Sequence, residues 1–177
     1  MRLSLIFLTV LTLSTDLASS ACPRKCECLW RDSKITVDCS NAGLAAVPDT
    51  VEPTTQVLNA SHNNIPHLPA RVFSRVSLTN LQRVSFERCG LSQIDGHAFH
   101  GLANLVELDL SYNRLLDVPS AALNEVDVPS LMTLSLSGNR GILHLAPEAF
   151  LGLTYLQKLD LSNCAIEHIP QGAFAGN

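Results

Sequence analysis

Between Leu105 and Leu115 the chain reads LVELDLSYNRL, with apolar side chains at Leu105, Leu108, Leu110 and Leu115 and a solitary Asn113 among them. Leu108 and Leu110 are two apart, so in an extended strand both point to one side, into a core. Val106, Glu107 and Asp109 fall outside this stripe and belong to the solvent side. Asn113 stands where the chain must turn. Its amide carries an acceptor and two donors, so a buried Asn can satisfy backbone groups of its own unit and of a neighbour. The pattern recurs: the positions equivalent to Asn113 are Asn63, Cys89, Asn139 and Cys164, and successive copies lie 26, 24, 26 and 25 residues apart. The inward pairs are Leu58 with Ala60, Val84 with Phe86, Leu108 with Leu110, Leu134 with Leu136, and Leu159 with Leu161. A second beat falls at Phe73, Phe99, Leu123, Phe150 and Phe174, which predicts a stacked spine of rings broken only at Leu123. A single unit of this kind cannot bury its own apolar edge and must stack on copies of itself.

The spacing L-x-x-L-x-L-x-x-N-x-L resembles the leucine-rich repeat signature. The resemblance implies a leucine-rich repeat solenoid: a curved right-handed horseshoe with a parallel β-sheet on its concave face and mostly loops and short helical turns on its convex face. Residues 50–177 hold about five repeats, the last incomplete. In the fourth, the core beat after Asn139 arrives one residue late, at Ile142. This predicts a bulge at Arg140-Gly141, with Gly141 in a backbone conformation other residues resist.

Upstream the pattern changes. Arg2, the apolar run Leu3–Leu13 and the small residues Ala18-Ser19-Ser20-Ala21 form a secretory signal peptide over residues 1–21, with cleavage after Ser20 or Ala21. The apolar run is too short for a comfortable membrane span. Residues 22–49 form a cysteine-rich N-terminal cap. Cys22, Cys26, Cys28 and Cys39 follow an export signal, which reads as two disulfides; four cysteines allow three pairings, and a zinc site is disfavoured in an exported chain. A cap is needed because the first coil of a solenoid exposes one end of the core. Ile35–Val37 follows the repeat beat as a short, covered edge strand, with Val37 and Cys39 pointing inward.

These features together resemble the extracellular leucine-rich repeat superfamily with a cysteine-rich N-terminal cap; Gly43-Leu44 and Val47-Pro48 complete the cap pattern. The resemblance implies the pairings Cys22–Cys28 and Cys26–Cys39. A closer likeness is to the insect kekkon-type surface proteins, which join such repeats to an immunoglobulin domain and one membrane span. It rests on Asn63-Asn64-Ile65-Pro66 with Leu68-Pro69, Leu81-Gln82-Arg83 and Cys89-Gly90-Leu91. The sequence contains no second cysteine-rich cap, immunoglobulin domain or span, and its last residues fall inside the fifth repeat. The chain is therefore expected to be the N-terminal part of a longer precursor, with membrane association through sequence absent here.

The formal net charge of −4 argues against nucleic acid, which wants a basic face. No nucleophile sits in a motif beside a base and no glycine-rich phosphate loop is present, so neither an enzyme nor a cofactor is expected. His97 and His100, an H-x-x-H without an evident carboxylate partner, read as surface residues rather than metal ligands. Cys89 and Cys164 are too far apart in the stack for a disulfide and replace the turn Asn as small buried residues. The outward strand positions form one surface, and its richest patch is Arg83, Arg88, Glu107, Asp109 and Tyr112, a mixture of both charges with an aromatic that suits an extracellular protein ligand or receptor. The outward residues of the fourth coil, Thr133, Ser135, Ser137 and Gly138, look featureless. Asn59-Ala60-Ser61 is a glycosylation sequon on that same surface. The expected function is protein recognition as the ectodomain part of a cell-surface adhesion or signalling receptor, with a soluble secreted binder as the alternative. Composition says nothing of oligomeric state.

Overall fold

The computed structural model describes residues 22–174. The predicted signal peptide lies outside the described residues. The chain winds into about five coils, each contributing one short strand to a seven-stranded sheet in the order β1-β2-β3-β5-β7-β8-β9. The strands are β1 (Glu27–Arg31), β2 (Lys34–Asp38), β3 (Val57–Asn59), β5 (Arg83–Ser85), β7 (Glu107–Asp109), β8 (Thr133–Ser135) and β9 (Lys158–Asp160). From β2 onward every pairing is parallel, and Val57, Arg83, Glu107, Thr133 and Lys158 lie opposite one another. The register thus reproduces the repeat spacing of the sequence. A second, two-stranded sheet of β4 (His67–Leu68) and β6 (Gln93–Ile94) lies on the flank, and the single helix among the described residues is α1 (Val72–Arg75).

The core is a set of stacked rows. Leu58, Val84, Leu108 and Leu134 lie beneath the sheet, with Ala60, Phe86, Leu110 and Leu136 beside them, all essentially fully buried. Each buried leucine contributes roughly 1.5–3 kcal/mol relative to exposure. The fifth pair, Leu159 and Leu161, is only partly buried, because among the described residues a coil covers it on one side alone. The ring spine divides at Leu123 into two stacked pairs, Phe73–Phe99 at 5.8 Å and Phe150–Phe174 at 5.6 Å.

The turn asparagines join neighbouring coils. Asn113 Nδ2 donates to Leu110 O of its own coil and to Phe86 O of the preceding one, while its Oδ1 accepts from Cys89 N and Leu91 N. Asn63 and Asn139 repeat this arrangement. At the two exceptional positions a thiol takes over the donor role: Cys89 Sγ reaches Ala60 O at 3.0 Å and Cys164 Sγ reaches Leu136 O at 3.2 Å. Burial pushes both thiols up from their ordinary pKa, so the proton these bonds require is retained. Both cysteines are free.

Two expectations are corrected. Residues 35–37 are not a short edge strand. They belong to the five-residue β2, which is covered by β1 in an antiparallel hairpin, so among the described residues β1 is the edge. The hairpin closes through Asp32 and Ser33, both left-handed (φ 49° and 60°), as a two-residue turn matching strand twist requires. Gly141, in turn, is not among the residues with positive φ. It is glycine because a Cβ there would stand 2.6 Å from the Leu115 carbonyl oxygen. The disulfides are Cys22–Cys28 and Cys26–Cys39, which tie the segment before β1 to the hairpin and to the end of β2.

Candidate functional site

The strands place their outward residues in two rows on the concave face. One runs Thr36, Val57, Arg83, Glu107, Thr133, Lys158; the other runs Asp38, Asn59, Ser85, Asp109, Ser135, Asp160. Beyond the second row each coil must turn sharply. His62, Arg88, Tyr112 and Asn163 all adopt φ between 54° and 58°, with Gly138 at 74° in the same register. The second row prepares this turn. Asp38, Asn59, Asp109 and Asp160 each accept a hydrogen bond through Oδ1 from the backbone N–H two residues on, at Ser40, Ser61, Ser111 and Ser162. These are Asx turns, in which the side chain stands in for the ladder partner the strand loses. The Asp160 carboxyl is held below its ordinary range by the side-chain and backbone hydrogen bonds of Ser162.

Of the five patch residues, the geometry brings four into two contacts. Arg83 Nε lies 3.3 Å from Glu107 Oε2 across the β5–β7 pair. The Arg88 guanidinium lies 4.4 Å from the centroid of the Tyr112 ring and also bonds Glu87. Exposed pairs of these kinds are worth up to about 1 kcal/mol each. Asp109 is the fifth, with one carboxylate oxygen engaged by the Ser111 turn. Gly138 proves far from featureless: a Cβ built on it would lie 2.6 Å from the Tyr112 ring. Arg88, Tyr112 and Gly138 therefore form one stack across three coils, in which the missing side chain of the third lets the ring of the second lie flat. No single-coil reading could find it, since the signal is a glycine one repeat after an aromatic. Between the longer side chains of β7 and β9, the short ones of β8 leave a depression of about 160 Å³ lined by Glu107, Asp109, Thr133, Ser135, Lys158 and Asp160.

The sequon residue Asn59 sits near the end of β3 with its amide engaged: Nδ2 donates to Asp38 Oδ1 at 3.1 Å, and the buried Ser61 hydroxyl pairs with that of Ser85.

On the convex side the reading of His97 and His100 as lacking a carboxylate is corrected. Asp127, fully buried and about one repeat later in sequence, receives His97 Nδ1 at 2.8 Å on Oδ2 and His100 Nδ1 at 2.9 Å on Oδ1; Asn124 Nδ2 also donates to it. Burial alone would raise the Asp127 carboxyl, but the Asn124, His100 and His97 bonds outweigh it and hold the group below its ordinary value. Among the described residues no three His, Cys, Asp or Glu side chains gather in a way that could hold a metal ion.

The sequence profile of the family described as "Leucine rich repeat" matches residues 53–115, 79–125 and 129–177. Mouse vasorin is similar over 118 residues at 36% identity, covering 67% of this chain and 17% of that protein. Leucine-rich repeat-containing protein 3 of Danio rerio is 33% identical over 135 residues, covering 76% and 48% respectively. Human podocan-like protein 1 is 28% identical over 170 residues, covering 85% and 33%. The chain thus spans less than half the length of each of these relatives.

Proposed function

The chain belongs to the leucine-rich repeat family, and from that premise we propose that it is an extracellular protein-recognition module without enzymatic activity, the N-terminal ectodomain part of a cell-surface adhesion or signalling receptor. The observation that carries this reading is the register of the concave sheet, which sets Arg83, Arg88, Glu107, Asp109 and Tyr112 on one surface and lays the Tyr112 ring, 45% exposed, between Arg88 and Gly138. Tyrosine and arginine held in fixed geometry lose little conformational freedom on binding and are favoured as interface anchors. The two disulfides suit an oxidising, extracellular setting. Among the described residues no helix is long and apolar enough to cross a membrane, so the anchor we propose, like the immunoglobulin domain and span of the kekkon-type likeness, belongs to sequence beyond these repeats.

Asn59 is proposed as a glycosylation site that fills before the chain folds. Its glycan would take one of the two Nδ2 hydrogens, leaving the other for Asp38, and would direct a partner toward the later coils.

The test has two arms. An antibody to this region, applied to membrane and medium fractions, reports whether the native product is larger than this chain and membrane-held, as the receptor reading requires. A product of this size free in the medium sinks that reading in favour of a secreted binder. Against a panel of cell-surface ectodomains, Tyr112→Ala combined with Asp109→Ala is expected to weaken binding of the recognised partner at least tenfold, about 1.4 kcal/mol or more, while secretion persists. Unchanged affinity would remove the site from the concave face.

A further inference from the structure

The N-terminal edge of the sheet has chemistry of its own. Among the described residues β1 pairs with β2 on one side only. Because a two-residue turn closes on a hydrogen-bonded pair, Arg31 and Lys34, the amides and carbonyls of Arg31, Leu29 and Glu27 face β2. Those of Cys28 and Trp30 face outward, and among the described residues no other segment bonds to them. The strand also carries the only tryptophan of the protein, and Trp30 is 72% exposed. An unprotected edge with an open ladder and a large exposed aromatic is a template for another strand.

We propose that β1 is a self-association edge, and that two copies pair β1 against β1 antiparallel about a twofold axis through Leu29, joining two sheets into one. Charge selects a second copy as the occupant. In this register Glu27 of each copy lies opposite Arg31 of the other, so the twofold axis makes two ion pairs. The hydrogen-bond phase agrees, since Cys28 opposite Trp30 forms the bonded pairs. Leu29 opposite Leu29 and Glu27 opposite Arg31 fall at non-bonded positions, where side chains come closest. The two neighbouring registers with the same phase lose the complementarity: one sets Arg31 against Lys25, and the other sets Glu27 against Ser33. On the opposite face of the ribbon, Trp30 of one copy meets Cys28 of the other and the disulfide it forms with Cys22. The pairing leaves the Arg83 to Tyr112 surface open on both copies, so the dimer presents two recognition faces and gains avidity toward a clustered partner.

The experiment is sedimentation of the secreted chain over rising concentration, with emission of its single tryptophan read in parallel. The expected result is a monomer–dimer equilibrium with a blue shift of Trp30 on association. Arg31→Glu and Glu27→Arg, each secreted with wild-type circular dichroism, are each expected to weaken dimerisation about tenfold or more, because both pairs become like-charged. An equimolar mixture of the two variants, and the double variant carrying both changes, are expected to restore it. A monomeric wild type at all concentrations overturns the proposal, as does a dimer indifferent to both single changes or a loss that neither the mixture nor the double variant repairs.

Discussion

At position 138 the requirement is for nothing at all beyond the backbone. Gly138 has φ 74° and no room for a Cβ against the Tyr112 ring. Gly138→Ala is therefore expected to cost about 1–2 kcal/mol and to tilt Tyr112 off Arg88. The urea midpoint would report the first effect and partner affinity the second, while an alanine with wild-type stability would mean the ring moves aside at no cost. Asn113 and Cys89 were legible from spacing alone, since a polar or small residue recurring in an apolar beat must be buried and must bond to backbone. The Gly138 contact was not legible, because it joins residues 26 apart through space. At position 141 sequence shows that a glycine is present, whereas only the approach of the Leu115 carbonyl says whether angle or space demands it.

At the scale of the element, the three-residue strands were readable because alternation has a fixed period of two and each copy confirmed the others. The hairpin was not. β1 carries no repeat beat, and its place is set by pairing with β2 and by two disulfides. The loop held by Asp127 is a similar case, since His97 and His100 precede their carboxylate by 30 and 27 residues. Asp127→Ala is expected to destabilise the chain by about 2 kcal/mol near neutral pH, leaving Asn124 and both imidazoles without their shared acceptor. The carboxyl is depressed in the fold, so its stabilisation is complete above the ordinary carboxylate range and is lost as pH falls through that range toward its folded value. The difference between wild type and variant in thermal melts should accordingly shrink below about pH 4. A difference that stays constant into acid would assign the cost to packing instead of charge.

For the whole molecule, stacking means that a fault in one coil reaches its neighbours. Leu110 is fully buried between Phe86 and Leu136 of the adjoining coils. Leu110→Asp places a charge there without a partner, a change of several kcal/mol, and secretion of the variant is expected to fail. Normal secretion would show that residue 110 does not face the core. What the sequence determined by itself was everything that repeats: the number of coils, the strand register, the inward rows and the turn residues. Its physical reason is that a solenoid translates a period in sequence directly into a period in space. Only the tertiary structure decided what does not repeat: the antiparallel edge at β1, the pairing of Arg83 with Glu107, the Arg88–Tyr112–Gly138 stack and the burial of Asp127. The β1 edge depends on its hairpin and disulfides, the other three on the side chain that happens to lie one coil away, and all on distances of a few ångströms that spacing along the chain does not specify.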